Sequence, residues 1–99
     1  MSFWEFKSGK IEEGFAKLDR ILNTLAQNEE GFRGYMSLLS YEDSNALTVI
    51  TLWQDEDTMS KSEKGVYTQA VEQVKDLIVS PPSIQKYRVY STQLYQRQE

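Results

Sequence analysis

Four side chains stand where this sequence could do chemistry: Trp53, Glu63, Tyr67 and Arg88. Trp53 closes an apolar run just ahead of an acidic helix start, so its indole can wall a pocket and its N–H can donate to a substrate carbonyl. The plain alternative is a large core residue beneath the helix layer. Glu63 lies three residues before Val66 and four before Tyr67. On an unbroken helix that spacing puts it inside the apolar arc, where a buried carboxylate has a raised pKa suited to a general base. If the helix breaks at Gly65, the same residue is a solvated cap, and the Ser60-to-Glu63 capping-box spacing favours that reading. Tyr67 shares the stripe and can hydrogen-bond a substrate phenol, or it can be a core aromatic with its hydroxyl at the rim. Arg88 can hold a developing anion, or pair with an acidic neighbour on an exposed strand face.

What the chain lacks narrows this further. It has no His and no Cys, which removes disulfides, thiolate nucleophiles, Ser-His-Asp chemistry, zinc sites and the usual proximal haem ligands together. Carboxylates, Tyr, Trp, Lys and Arg remain. Eleven basic residues against fifteen acidic ones leave a net charge of -4, the wrong sign for a nucleic-acid footprint. Glu30 to Met36 faintly echoes an RNA-recognition signature, but it enters the second strand, whereas that signature belongs to the third. The opening residues carry no basic flank leading into a long apolar run, so neither a signal peptide nor a membrane span is expected, and a cytoplasmic location is the default.

These side chains must be positioned by one small domain, because 99 residues leave no room for a second core. Phe3 to Lys7 is short and aromatic and is expected to form a first strand, stopped at Ser8-Gly9. From Lys10 to about Gln27, the residues Ile11, Phe15, Leu18, Leu22 and Leu25 recur at steps of four and three, which predicts an amphipathic helix. Tyr35 to Tyr41 follows as a second strand, Glu42-Asp43-Ser44-Asn45 as a hairpin turn, and Leu47 to Trp53 as a β-branched central strand. Asp55-Glu56-Asp57 opens a second helical stripe, which runs through Val66, Tyr67, Ala70, Val71, Val74, Leu77 and Ile78 to Ser80, with a break expected near residues 60 to 65. Ile84 to Thr92 is expected as a fourth strand, with Tyr87 and Val89 on one face and Arg88 and Tyr90 on the other, and residues 93–99 as a polar tail.

The order βαββαβ predicts an α+β, ferredoxin-like fold, a four-stranded antiparallel sheet with both helices on one face. Leu47, Val49 and Trp53 point one way along the third strand while Ile50 and Leu52 point the other; in the second, Met36 and Leu38 oppose Leu39 and Tyr41. Neither face is polar, so the side without helices needs a cover, and a homodimer packed sheet to sheet supplies it. Tyr35, Tyr41, Tyr87 and Tyr90 are then expected as interior and interface residues.

With Phe6-Lys7-Ser8-Gly9, the Gly31-Phe32-Arg33-Gly34 turn and Thr48-Val49-Ile50-Thr51-Leu52-Trp53 in place, the sequence resembles the antibiotic biosynthesis monooxygenase family of dimeric α+β barrels over about residues 3 to 92. The resemblance implies the fold and the dimer. It also implies a cofactor-independent oxygenase acting on a small aromatic or hydroxylated, polyketide-like substrate, with no metal and no cofactor. Haem-degrading relatives pair the strand-ending Trp with a His on the next helix; here that stretch reads Ser60-Lys61-Ser62-Glu63-Lys64, so haem is not expected as a partner. The Asn that the cofactorless oxygenases carry on this strand is replaced at Val49 or its neighbours. The competing expectation is a non-catalytic dimeric module of the same fold that binds a small ligand or stabilises a complex.

Overall fold

Alternation along the strands decides which side of the sheet the helices cover. The computed structural model describes residues 1–89, 91 and 92. Its elements are β1 (Ser2–Glu5), α1 (Ile11–Asn28), β2 (Phe32–Leu39), β3 (Ala46–Trp53), α2 (Glu56–Lys64), α3 (Val66–Val74) and β4 (Ser83–Ile84). The strands stand in the order β2-β3-β1-β4, every neighbouring pair antiparallel. This is the expected ferredoxin-like arrangement, with the helices on one face.

The register pairs Trp4 with Leu47, Ser2 with Val49 and Tyr35 with Thr51. Trp4, Leu47 and Val49 are buried, together with Phe6 and with Leu18, Leu22 and Leu25 of α1 and Ala70 and Val74 of α3. The other set, Met36, Leu38 and Leu52, faces away and is exposed, Met36 by 53% and Leu52 by 43%. The expected division holds for β3 and for Met36 and Leu38, whose face lies bare in the single chain; Leu39 and Tyr41, expected on the opposite face, are exposed too, because β2 ends at Leu39 and Tyr41 lies beyond it.

Several boundaries differ from expectation, each for a local reason. The break in the second helix falls at Gly65. Neither Ser60 nor Glu63 caps the helix that follows: α3 has Gly65 as its N-cap, with no side-chain cap, and both residues lie inside α2. The cap of α2 is Asp55, whose Oδ1 accepts the Thr58 amide at 2.9 Å. That bond, with the Thr58 hydroxyl, holds the Asp55 carboxyl below the ordinary aspartate value. A depressed carboxylate stabilises the fold above its unfolded pKa and stops doing so as pH falls through the lower folded value. Asp55→Ala is therefore expected to lower the melting midpoint at neutral pH, and the gap to the parent should close as melts are taken below pH ~4.

The last helix stops at Val74, short of Ser80, because the next residues enter the sheet. The Lys7 amide donates to Leu77 O at 2.8 Å, Phe6 bridges Ile78, and the Val79 amide donates to Glu5 O at 2.9 Å. Leu77 and Ile78 stay buried, as the apolar stripe requires, but Leu77 does so from the turn that follows α3, where its amide donates to Val74 O at 2.8 Å, and Ile78 from its bridge to Phe6. Pro81-Pro82 then interrupts the edge, since proline has no N–H to give. Pairing resumes at Ser83 and Ile84 and ends with the Gln85 amide on Met1 O at 2.9 Å. The fourth strand is thus Ser83–Ile84, preceded across the prolines by the isolated bridge of Ile78, and does not extend to Thr92: among the described residues, no strand pairs with Lys86 to Val89. Tyr90 and residues 93–99 fall outside the described residues.

Two glycines are required by space. Gly31 has a φ of +85°, and a Cβ there would lie 2.6 Å from the Thr58 side chain. Gly14 lets α1 settle on the ring of Phe6, which is only 1% exposed. Among the described residues, no helix is long and apolar enough to cross a membrane.

Candidate functional site

Between the helix layer and the sheet lies a cavity of about 90 Å³. Its floor is Val49, Thr51 and Trp53 of β3 with Trp4 of β1. Its roof is Leu18 and Leu22 of α1, Met59 and Glu63 of α2, and Val66 and Tyr67 of α3. Ile84 and Lys86 close the side next to the fourth strand. The wall is aromatic at both ends: Trp4 packs tilted against Tyr67 with ring centroids 6.0 Å apart, and Trp53 meets Phe32 edge to face at 5.0 Å.

Three of the four residues expected to carry chemistry, Trp53, Glu63 and Tyr67, therefore line one cavity, brought there by the end of β3 and the two helices after it. Arg88 does not line it. It is exposed and borders an outer groove, together with Trp53, Gln54 and Tyr87. That groove shares Thr51, Trp53, Met59 and Lys86 with the cavity, so the two adjoin.

The indole N–H of Trp53 is spent within the strand, donating to Thr51 Oγ1 at 3.0 Å, and that of Trp4 donates to Ser2 Oγ at 2.8 Å. Both rings thus present apolar surface. The Tyr67 hydroxyl donates to Pro82 O at 3.3 Å, which leaves its oxygen lone pairs to accept. Burial, and secondarily the charge of Glu63, push its pKa above the ordinary tyrosine value, so at neutral pH it is a neutral hydroxyl and not a phenolate base. Ser62, though buried, turns its hydroxyl onto Met59 O at 2.6 Å.

Glu63 is neither the fully buried carboxylate nor the helix cap of the two expectations. Its side chain is 30% exposed and ion-pairs with Lys86 at 3.1 Å. Lys86 had no signal in the sequence: it falls in a run that alternates like a strand, and only the proline pair ahead of it hints that the chain there is displaced. The remaining tyrosines separate. Tyr35 donates to Asp19 Oδ1 at 2.8 Å, while Tyr41 and Tyr87 are exposed in the single chain.

The cavity offers no imidazole or thiolate, and among the described residues no three acidic side chains gather where a metal could sit. Its volume is also far below what a haem needs, so these residues do not fit that group.

A family model for antibiotic biosynthesis monooxygenases matches residues 1–74. No protein of curated function matches the chain. Among solved structures, a protein of unknown function from Nitrosomonas europaea superposes with a TM-score of 0.78 at 22% identity, covering 96% of this chain and 90% of its own. A candidate antibiotic biosynthesis monooxygenase from the same organism gives 0.76 at 16% identity, covering 93% and 89%. A conserved protein from Methanosarcina mazei gives 0.74 at 18%, covering 88% and 86%. At these identities the superpositions establish the shared fold.

Proposed function

The chain belongs to the antibiotic biosynthesis monooxygenase family, and from that premise we propose that it is a cofactor-independent monooxygenase acting on a small aromatic or hydroxylated substrate held between helices and sheet. The observation that carries the reading is the apolar, Trp-walled cavity with a carboxylate at its rim. A deprotonated electron-rich ring can itself give electrons to oxygen, so the protein need only position it, exclude water and remove a proton. For a hydroquinone the reaction balances without a cofactor: the ring loses two electron pairs, one oxygen atom of O₂ enters it to give a hydroxyquinone, and the other leaves as water. In this reading Trp53 walls the ring, Tyr67 accepts from a substrate hydroxyl, Glu63 is the base, and Arg88 attracts anions to the outer groove. Oxygen uptake with a panel of hydroquinones, phenols and anthrones, run against a nitrogen control, tests it; no oxygen-dependent turnover anywhere in the panel overturns it.

The same proposal includes the dimeric barrel. Met36, Leu38 and Leu52 form the apolar centre of the bare sheet face, and covering it with a second copy removes a patch that water disfavours. Leu52→Glu places a charge there twice, once from each copy, and is expected to weaken association by tenfold or more. Sedimentation velocity at micromolar loading reads this as a shift from two-chain to one-chain mass.

One observation favours a second reading, a binding module without catalysis: both indole N–H groups are satisfied internally, leaving few donors for a reacting carbonyl. Native mass spectrometry showing a retained small ligand with no turnover would select it.

A further inference from the structure

The ion pair of Glu63 and Lys86 does little for the fold. Its side chains are 30% and 48% exposed, and solvent-screened pairs so placed contribute little to stability. It nevertheless sits where an otherwise apolar cavity meets solvent, and it joins α2 to the segment after β4. We propose that this pair recognises the acidic hydroxyl of a single-ring phenol or hydroquinone: Glu63 accepts the hydroxyl proton, and Lys86, released from the carboxylate, holds the phenolate oxygen. The inference rests on the reading of the cavity as a site for hydroxylated rings, and it adds a residue and a size limit to that reading.

Charge conservation favours the arrangement. Before transfer, Lys86 is neutralised by the Glu63 carboxylate; after it, by the substrate oxyanion, while Glu63 carries the proton. The O–H bond of the ring breaks, a new O–H bond forms on Glu63, and no net charge appears in the apolar cavity, where an unpaired ion is costly. A lone carboxylate could not manage this. Size fixes the class of ring. An apolar cavity of about 150 Å³ takes benzene, so about 90 Å³ takes only part of one ring, which leaves the hydroxyl-bearing edge at the open rim beside the ion pair, and three fused rings exceed it.

The charged and titratable groups around Glu63 are Lys86 from the segment after β4, Tyr67 from α3 and the amino group of Met1 beside β1. The test uses 4-nitrophenol, whose phenolate is coloured, so the titration of the bound probe is read directly by absorbance. A cation a few ångströms from an ionising oxygen lowers its pKa by about one unit or more. Lys86→Met is thus expected to raise the bound probe's midpoint by about one pH unit, and Lys86→Arg to restore it. Glu63→Gln, which removes the competing anion, is expected to move the midpoint down. Opposite shifts from two sides of one pair are not what a purely structural role produces, and circular dichroism on each variant confirms that it is folded.

A midpoint unmoved by Lys86→Met, an equal shift from Arg88→Met, or no binding of the probe to the parent protein overturns the proposal. Oxygen uptake is read separately. A protein that ionises the probe through Lys86 yet consumes no oxygen keeps this inference and loses the monooxygenase, whereas oxygen-dependent turnover unaffected by Lys86→Met does the reverse.

Discussion

Glu63→Gln is expected to cut kcat for oxygen-dependent turnover by about 10²- to 10⁴-fold while KM changes only a few-fold. General-base catalysis is worth that much, and the substitution keeps the shape and hydrogen-bonding reach of the side chain while removing its capacity to accept the proton. The substrate still meets Trp4, Trp53 and Tyr67, which supply binding alike in ground and transition states, so the loss concentrates in kcat. Stability should scarcely change, because the lost ion pair with Lys86 is half solvated and worth at most about 1 kcal/mol. Steady-state oxygen uptake, with a thermal melt beside it, checks both halves. A parental kcat would remove Glu63 from the chemistry; a collapsed melt would make it a structural residue.

The largest expected effect on stability comes from Phe6 and Gly14. Phe6 is almost wholly buried, and Phe6→Ala is expected to cost about 3–5 kcal/mol, a large part of the 5–15 kcal/mol that ordinarily separates native from unfolded chains. Gly14 stands against the same ring. A methyl group at Gly14 would fall well inside van der Waals contact with Phe6 Cε1, Cδ1 and Cζ, and the packed ring has nowhere to swing. Gly14→Ala alone is therefore expected to destabilise, even though alanine favours a helix by about 1 kcal/mol over glycine. In the Phe6→Ala background the space is free and the sign reverses: Gly14→Ala then stabilises by roughly 0.5–1 kcal/mol. Urea unfolding of the four proteins measures the coupling. Additive effects would mean that helix and strand do not meet at this point.

How much of this was legible beforehand differs from residue to residue. The helix break at Gly65 could be read from the sequence because a glycine interrupts an otherwise regular apolar stripe. The sharing of one cavity by Trp53 and Tyr67 followed from element order, since a strand end and the helix after next are neighbours in a βαββαβ fold. The end of the last helix was not legible. Leu77 and Ile78 continue the helical period, yet their backbone pairs with the end of β1, and a buried residue carries the same apolar signal in either conformation. The fourth strand is shorter than its alternating pattern suggests: only Ser83 and Ile84 pair with β1, and a further contact with the first strand's end, the bridge of Ile78 to Phe6, lies on the other side of the prolines, where the apolar pattern is helical. Trp4, in a strand too short to show alternation, gave no hint that it would form part of the cavity floor. Lys86 was missed because a salt bridge between a helix and a distant extended segment leaves no periodic trace.

A monooxygenase without a cofactor requires that a ring held in this cavity react directly with oxygen. Turnover of a hydroquinone that gives product under air should be repeated under ¹⁸O₂ in unlabelled water and the product weighed before its carbonyl oxygens exchange. The account predicts one labelled oxygen atom per hydroxyquinone, with the second in water, and no incorporation when Glu63 is glutamine and turnover is lost. Product that forms with no label from O₂ would contradict it.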